Sequence, residues 1–251
     1  MKYKHLIYLL FILLPMASFG NKASLLEVGN QQYAKGQYQK AQGSYQQLIN
    51  AGTRSAALYF NMGNACFKNG DIPSAIWYYE KAHKLSPGDN DINFNIKFAT
   101  QKTVDKIEET PEFFISKWWR AFILMFSAHA LSVWSVIMIL TASLLLILYL
   151  FSRYITIKKI AFFSAIALYV IGLAAIFMAK QQVNYFNTNK QAIIFTSSVI
   201  VKSAPANGGK PLFVLHEGTK VNVLQTNNRS IKIKLANGNQ GWIGLGDVKA
   251  I

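Results

Sequence analysis

The sequence predicts a multidomain α plus β protein: an α-helical solenoid, two transmembrane helices and a C-terminal β-barrel. Three observations predict it. Gly36 and Gly70 stand in similar surroundings, AKGQYQKA and KNGDIPSA, 34 residues apart. Two apolar runs, residues 131–151 and 160–179, are separated by little more than the turn SRYITIKK. From residue 191 onward the chain changes to short alternating runs, SVIVK, TKVNVLQ, SIKIKLA and QGWIGL, broken by ANGGKP, TNNR and LANGNQ. That alternation with turn-forming punctuation is the pattern of a small antiparallel sheet, and Asn237-Gly238 is its strongest hairpin cue.

The chain begins MKYKHLIYLLFILLPMASFG. Lys2 and Lys4 precede an apolar stretch, and Ser18 and Gly20 supply small residues after it, so residues 1–20 are expected to be a secretory signal peptide. An uncleaved anchor is the alternative. Either one places the following segment outside the cytoplasm.

Residues 22–106 are expected to hold two helical repeats and a capping helix. In the second copy, ALYFNMGNACFKNGDIPSAIWYYEKAHKLSPGD, Tyr59, the pair Met62-Gly63, Gly70, Ala75, Tyr79, Ala82 and Pro87 fall at the landmarks of the tetratricopeptide repeat, which this segment resembles. The first copy carries Gly29, Gly36, Tyr38, Ala41 and Tyr45, with Leu48 in place of the late alanine. Small residues at these positions let paired helices approach, and aromatic residues fill the space between pairs. Stacked repeats need their ends covered. Residues 90–106 start in register with a third copy but lose its landmarks, and read as a single capping helix with Ile92, Ile96, Ala99 and Thr103 inward.

Charge is distributed unevenly. The formal net charge is +15, which on its own suggests nucleic acid. Yet residues 21–112 hold 10 basic and 9 acidic side chains, and no Asp or Glu occurs between Phe113 and His216. The excess surrounds the apolar runs, where anionic lipid headgroups account for it. Cys66, the only cysteine, excludes an internal disulfide and a thiolate cluster; it occupies a helix-packing position and reads as a buried thiol.

Residues 112–127, PEFFISKWWRAFILMFSA with its neighbours, place Phe114, Trp118, Phe122 and Met125 on one helical face and Lys117 and Arg120 on another, as an interfacial amphipathic segment does. Joined to the following run without a break, the uncharged stretch 121–152 would reach about 48 Å at 1.5 Å per residue, beyond the hydrocarbon thickness. A break is expected near Ser127 to Ala130. The two runs then form a hairpin whose basic turn, with Arg153, Lys158 and Lys159, faces the cytoplasm, so both soluble parts share the other side. Ala161, Ala165, Gly172, Ala175 and Ala179 make a small-residue stripe suited to close packing, either within the hairpin or between copies. Neither run carries an ionisable group, so an ion path has no material.

Residues 191–251, through VIVKSAP, LHEGTKVNVL and IKIKLANGNQGWIGLGDVKAI, resemble bacterial SH3-like domains, with Trp242 expected in the core. The whole order of segments, with WWRAF before the first span and LFVLHEGTKVNVL after the second, resembles the BatE-type aerotolerance proteins of bacteria. That resemblance implies a multi-pass protein of the cytoplasmic membrane with both soluble domains periplasmic. It also implies association with membrane proteins bearing von Willebrand A domains and with a MoxR-type ATPase.

Function follows from the same segments. The first helix of each repeat lines the concave face of such an array, here Leu26, Asn30 and Tyr33, then Phe60, Asn64, Phe67 and Lys68. Asn30 and Asn64 share one repeat position, at which the family uses an amide to hold a peptide backbone or terminal carboxylate; ordinary interhelix polarity is the other reading. Leu26, Asp91 and Asn95 stand where a carboxylate clamp needs cations, which argues against a C-terminal ligand. The expectation is a non-catalytic scaffold without cofactor or metal. The alternative is an envelope-binding module whose SH3-like domain meets peptidoglycan through Lys202, Lys210, Lys220, Arg229, Lys232 and Lys234. Catalysis lacks an assembled set of roles: no phosphate loop, metal spacing or nucleophile elbow is present, and His216 and Glu217 are adjacent on an alternating strand.

Overall fold

Local chemistry sets the helix limits in the N-terminal half. The computed structural model describes residues 16–108, 110–205 and 209–251. Most of the expected signal peptide lies outside them, and residues 16–20 form the start of helix α1 (Met16–Ala34). It pairs with α2 (Tyr38–Asn50) across a turn where Gly36 takes φ +72°. The same design recurs in α3 (Ala56–Lys68) and α4 (Ile72–Leu85), joined through Gly70 at φ +84°. These left-handed positions suit glycine because no Cβ opposes them. Ser55 and Asp71 cap the next helices by accepting the Leu58 and Ser74 N–H groups, which satisfies donors the helix leaves open.

Packing between these helices uses the expected residues. Gly29 lies under the Tyr45 ring and Gly63 under the Tyr79 ring. Ala41, Leu48, Leu58, Ala65, Ala75 and Ala82 are buried around them. Helix α5 (Asn90–Thr100) closes the array, burying Ile92 and Ala99. It ends six residues short of the expected 106, because the chain turns at Thr103, whose hydroxyl donates to the Thr100 carbonyl at 2.7 Å.

Helix α6 (Phe114–Ile123) presents Phe114 and Trp118 outward, 71% and 68% exposed. The chain breaks after it, and Ser127 caps α7 (Ala128–Phe151) through the Ala130 N–H. The connection to α8 (Ile155–Thr188) is only Ser152 to Tyr154, so Lys158 and Lys159 belong to the first turn of α8 and not to a loop. Both helices are long and apolar enough to cross a membrane. The small-residue stripe faces α7: Ala161, Ala165, Ala175 and Ala179 are buried, and a Cβ on Gly172 would stand 3.2 Å from Ile139 Cγ1. Of the two readings of that stripe, the structure shows packing within the hairpin.

The C-terminal part is one antiparallel sheet of strands β1 (Gln191–Ile194), β2 (Ser198–Lys202), β3 (Pro211–His216), β4 (Lys220–Thr226), β5 (Ser230–Lys234), β6 (Gln240–Gly244) and β7 (Val248–Ala250). Their order is β3-β2-β6-β5-β4-β1-β7. This corrects the expected barrel, since β3 and β7 remain edges. Both edges meet the helical array: Trp77 of α4 donates from Nε1 to the Ala250 carbonyl at 2.8 Å, and the His216 N–H donates to Asp105 Oδ2 at 2.7 Å. The β7 edge lies against α4, whereas β3 is tied down at its last residue, His216, and leaves Leu212 and Val214 exposed. Trp242 departs from expectation too. It stands in register with Lys202 and Lys232, half-buried, on the face opposite the buried Ile231, Ile233 and Ile243.

Sheet and helices share a core. Ile193 of β1 is fully buried among the residues of the helical array, and a Cβ on Gly218 would meet Thr103 Cγ2 at 2.8 Å. Two polar fastenings surround this contact. Lys220 Nζ reaches Glu80 Oε1 at 2.7 Å, and Asp105 accepts from the Thr219 hydroxyl at 2.7 Å while its other oxygen lies 2.8 Å from His216 Nδ1. Burial pushes the Asp105 carboxyl up, but the bonds from His216 and Thr219 outweigh it and hold the group below its ordinary value.

Candidate functional site

The first helices of the repeats, α1 and α3, enclose a hollow of about 230 Å³ lined by Asn30, Tyr33, Tyr45, Asn61 and Asn64. A ladder of side-chain bonds organises it. Tyr45 Oη and Asn61 Nδ2 both donate to Asn30 Oδ1, at 2.9 and 3.0 Å. One repeat later, Tyr79 Oη and Asn95 Nδ2 donate to Asn64 Oδ1, at 2.8 and 2.9 Å. Each rung is the previous one moved on by the repeat length.

The chemistry of a rung is directional. An amide oxygen has two acceptor positions and its NH₂ two donor positions. In both rungs the oxygen is occupied by two donors from the protein, which fixes the amide and leaves its NH₂ side for another acceptor. Burial raises the Tyr45 hydroxyl to about 12, so it remains a donor over the physiological range; burial also raises Tyr79. The same effect applies to Cys66, which is buried near the rungs with its thiol pushed up to about 12 by burial. Such a thiol is inert.

The other expected groove residues are spread more widely. Tyr33 lines the hollow and packs edge-on against Tyr38, with ring centroids 5.3 Å apart. Leu26 and Phe60 are half-buried against the helical core, Phe60 tilted on Tyr79. Phe67 packs on Phe98 at 5.4 Å, and Lys68 is exposed at the end of α3. Phe98 stands one repeat after Asn64 and stacks on Phe94, which is 65% exposed. The polar ladder therefore gives way to an aromatic end.

Asn61, Tyr45 and Asn95 were not among the residues expected to line the groove. Their signal was available, because Asn61 and Asn95 are separated by the same repeat length as Asn30 and Asn64. The Asp105, His216 and Thr219 cluster invites a different comparison, with a catalytic triad. Its geometry is wrong for one: Thr219 donates to the carboxylate and so is not the hydroxyl that the imidazole would activate. The cluster fastens the sheet to the array.

Comparison with known proteins agrees with the helical half. Residues 56–89 match the family described as tetratricopeptide repeat, which covers α3, α4 and the turn after them. This segment is a tetratricopeptide repeat, and repeats of this class generally bind protein partners. No curated protein matches the chain. Among solved structures, an NlpC/P60 family protein from Bacillus cereus ATCC 10987 aligns with 18% identity over 28% of this chain and 23% of that one, at a TM-score of 0.22.

Proposed function

We propose that the protein is a non-catalytic, membrane-anchored scaffold that holds an extended segment of a partner protein in the groove of its repeats. The observation that carries this reading is the pair of rungs at Asn30 and Asn64. Two amides, each fixed by its oxygen and each with a free NH₂, are spaced along a groove, and peptide carbonyls are the acceptors such a row suits. The aromatic end formed by Phe67, Phe94 and Phe98 offers a place for an apolar side chain of the same segment. Leu26, Tyr33, Phe60 and Lys68 flank this path. With α7 and α8 read as a transmembrane hairpin, the groove and the sheet lie on one side of the bilayer, the periplasmic side of the bacterial cytoplasmic membrane. The resemblance to BatE-type proteins supplies the context: an aerotolerance or stress-related membrane complex with von Willebrand A domain proteins and a MoxR-type ATPase.

The structure suggests a sharper substitution than alanine. Asn30→Asp with Asn64→Asp keeps both acceptor oxygens, and with them the bonds from Tyr45, Asn61, Tyr79 and Asn95, while removing the free donors. Full-length protein is crosslinked in intact cells and purified in mild detergent. Partners recovered by the wild type and lost by the double variant support the reading; an unchanged set of partners overturns it.

A second reading has its own observation. Lys202, Trp242 and Lys232 stand side by side across β2, β6 and β5, an aromatic ring between two cations suited to an acidic sugar polymer such as peptidoglycan. Because Ile193 belongs to the shared core, the full-length protein in detergent is the material for a sedimentation test with purified sacculi. Failure to pellet at low salt removes this reading.

A further inference from the structure

Between α6 and the last turns of α8 lies a second cleft, of about 420 Å³, whose lining includes Glu112, Ser116, Trp119, Arg120, Asn184 and Tyr185. Its walls are fixed. Gln182, buried in α8, donates from Nε2 to the carbonyls of Ile123 and Phe126, at 2.9 and 2.8 Å, and so ties the end of α6 to α8. At the mouth, Arg120 Nη1 meets Glu112 Oε1 at 2.6 Å, with the two side chains 35% and 44% exposed. Both charges are thus reachable from outside.

The depth of the cleft can be read from α8. Its apolar run ends at Ala179, and Asn184 lies about 7 Å further along at 1.5 Å per residue. The polar headgroup layer of a bilayer is about 5–8 Å deep on each side. With the hairpin in the membrane, the cleft opens at headgroup level, and the exposed faces of Phe114, Trp118 and Phe122 on α6 lie beside it.

We infer that this cleft binds a phospholipid headgroup carrying a phosphate and a primary ammonium, as in phosphatidylethanolamine. The argument is charge complementarity. A zwitterion inserted between Arg120 and Glu112 gives each a new counter-charge, phosphate to guanidinium and ammonium to carboxylate. An anionic glycerol headgroup satisfies Arg120 alone and sets its phosphate against Glu112. A choline headgroup has the right charges but no N–H to donate to the carboxylate. The Ser116 hydroxyl and the Asn184 amide add donors for phosphate oxygens, and Trp119 offers an apolar wall to the glycerol. The volume falls within the roughly 300–1,000 Å³ of small-molecule sites.

This inference rests on the membrane reading, and the two can fail separately. Full-length protein is first mixed with vesicles of phosphatidylethanolamine, phosphatidylglycerol or phosphatidylcholine. If it stays in the aqueous phase with all three, the membrane reading falls and the headgroup site with it. Delipidated protein in detergent is then offered each lipid, and retention is measured by native mass spectrometry. Phosphatidylethanolamine is expected to be retained about tenfold better than either competitor, the order that one charge-assisted hydrogen bond supplies. Glu112→Gln is expected to abolish the preference, whereas Asn184→Leu, which removes only a donor to the phosphate, is expected to weaken retention of all three lipids alike. Equal retention of the three lipids by the wild type overturns the assignment without any variant, as does an unchanged preference in Glu112→Gln.

Discussion

Breaking the Glu80–Lys220 pair from its two ends should have unequal costs. The oxygen and nitrogen are 2.7 Å apart, but the Glu80 side chain is 3% exposed and that of Lys220 38%. At an effective dielectric near 20 the attraction is about 6 kcal/mol, and it is offset by desolvation of several kcal/mol per buried ion. The net worth of the pair is therefore small, while the cost of stranding one member depends on where that member sits. Lys220→Met leaves a carboxylate enclosed between α4 and β4. Stranding a buried charge costs about 3–5 kcal/mol; because water reaches Lys220, part of that attraction is already screened, and about 2–3 kcal/mol is expected. Glu80→Gln leaves an ammonium that turns to water, for about 0–1 kcal/mol. Combining the two should recover most of the loss of Lys220→Met. Urea-dependent proteolysis of the full-length protein in detergent measures all three variants. Equal costs for the single substitutions, or a double variant no better than Lys220→Met, would refute the asymmetry.

The same change at two glycines should have opposite signs. A Cβ at Gly63 would stand 2.6 Å from two ring atoms of Tyr79, which is buried, so Gly63→Ala should cost about 1–3 kcal/mol in overpacking, less a helix-propensity gain of about 0.5–1. Exposed Gly43 in α2 has nothing among the described residues within 4 Å of such a Cβ, so Gly43→Ala should raise the melting temperature by the propensity gain alone. Gln182→Leu leaves the carbonyls of Ile123 and Phe126 without their donor, at about 1–3 kcal/mol, and hydrogen exchange across residues 123–127 should accelerate. Acidification should destabilise the fold in two stages. Burial lowers His83, with Glu80 and Asn93 acting in the raising direction and Lys220 in the lowering one, so the unfolded chain takes up its proton first and stability falls as pH drops below about 6.5. The depressed Asp105 contributes stability above its unfolded value, lost as pH falls through its folded one. A melting curve series from pH 7 to 3 checks this, and His83→Gln should remove the upper stage alone.

What could be seen in the sequence was whatever repeats or alternates. The recurrence of glycine, alanine and tyrosine gave away the helix pairs, because each landmark faces the same neighbour in every copy. Uninterrupted apolar runs marked α7 and α8, and length alone required the break that Ser127 caps. The contacts that join the modules were invisible for the converse reason. Glu80 meets Lys220 and Asp105 meets His216 across more than a hundred residues, and no local period encodes such a pairing. Gln182 was likewise passed over, since a single amide after an apolar run looks like the beginning of solvent. Trp242 misled because a large aromatic after a turn glycine suggests a core position, whereas its register with Lys202 and Lys232 puts it on the outer face.

These long-range contacts change what the hairpin accomplishes. Returning the chain to one side would by itself leave the repeats and the sheet as two bodies on flexible tethers, and each soluble part is small. Instead Ile193 completes the core of the array, and Trp77, Glu80 and Lys84 of α4 hold the sheet. The sheet takes the second helix of the repeat, so the first helices with Asn30 and Asn64 keep their open face. The repeats and the capping helix bury a core of their own, and Ile193 of the sheet extends it on the α4 side. The sheet covers that side, and a substitution such as Lys220→Met should therefore weaken the proposed partner capture at a groove it never touches.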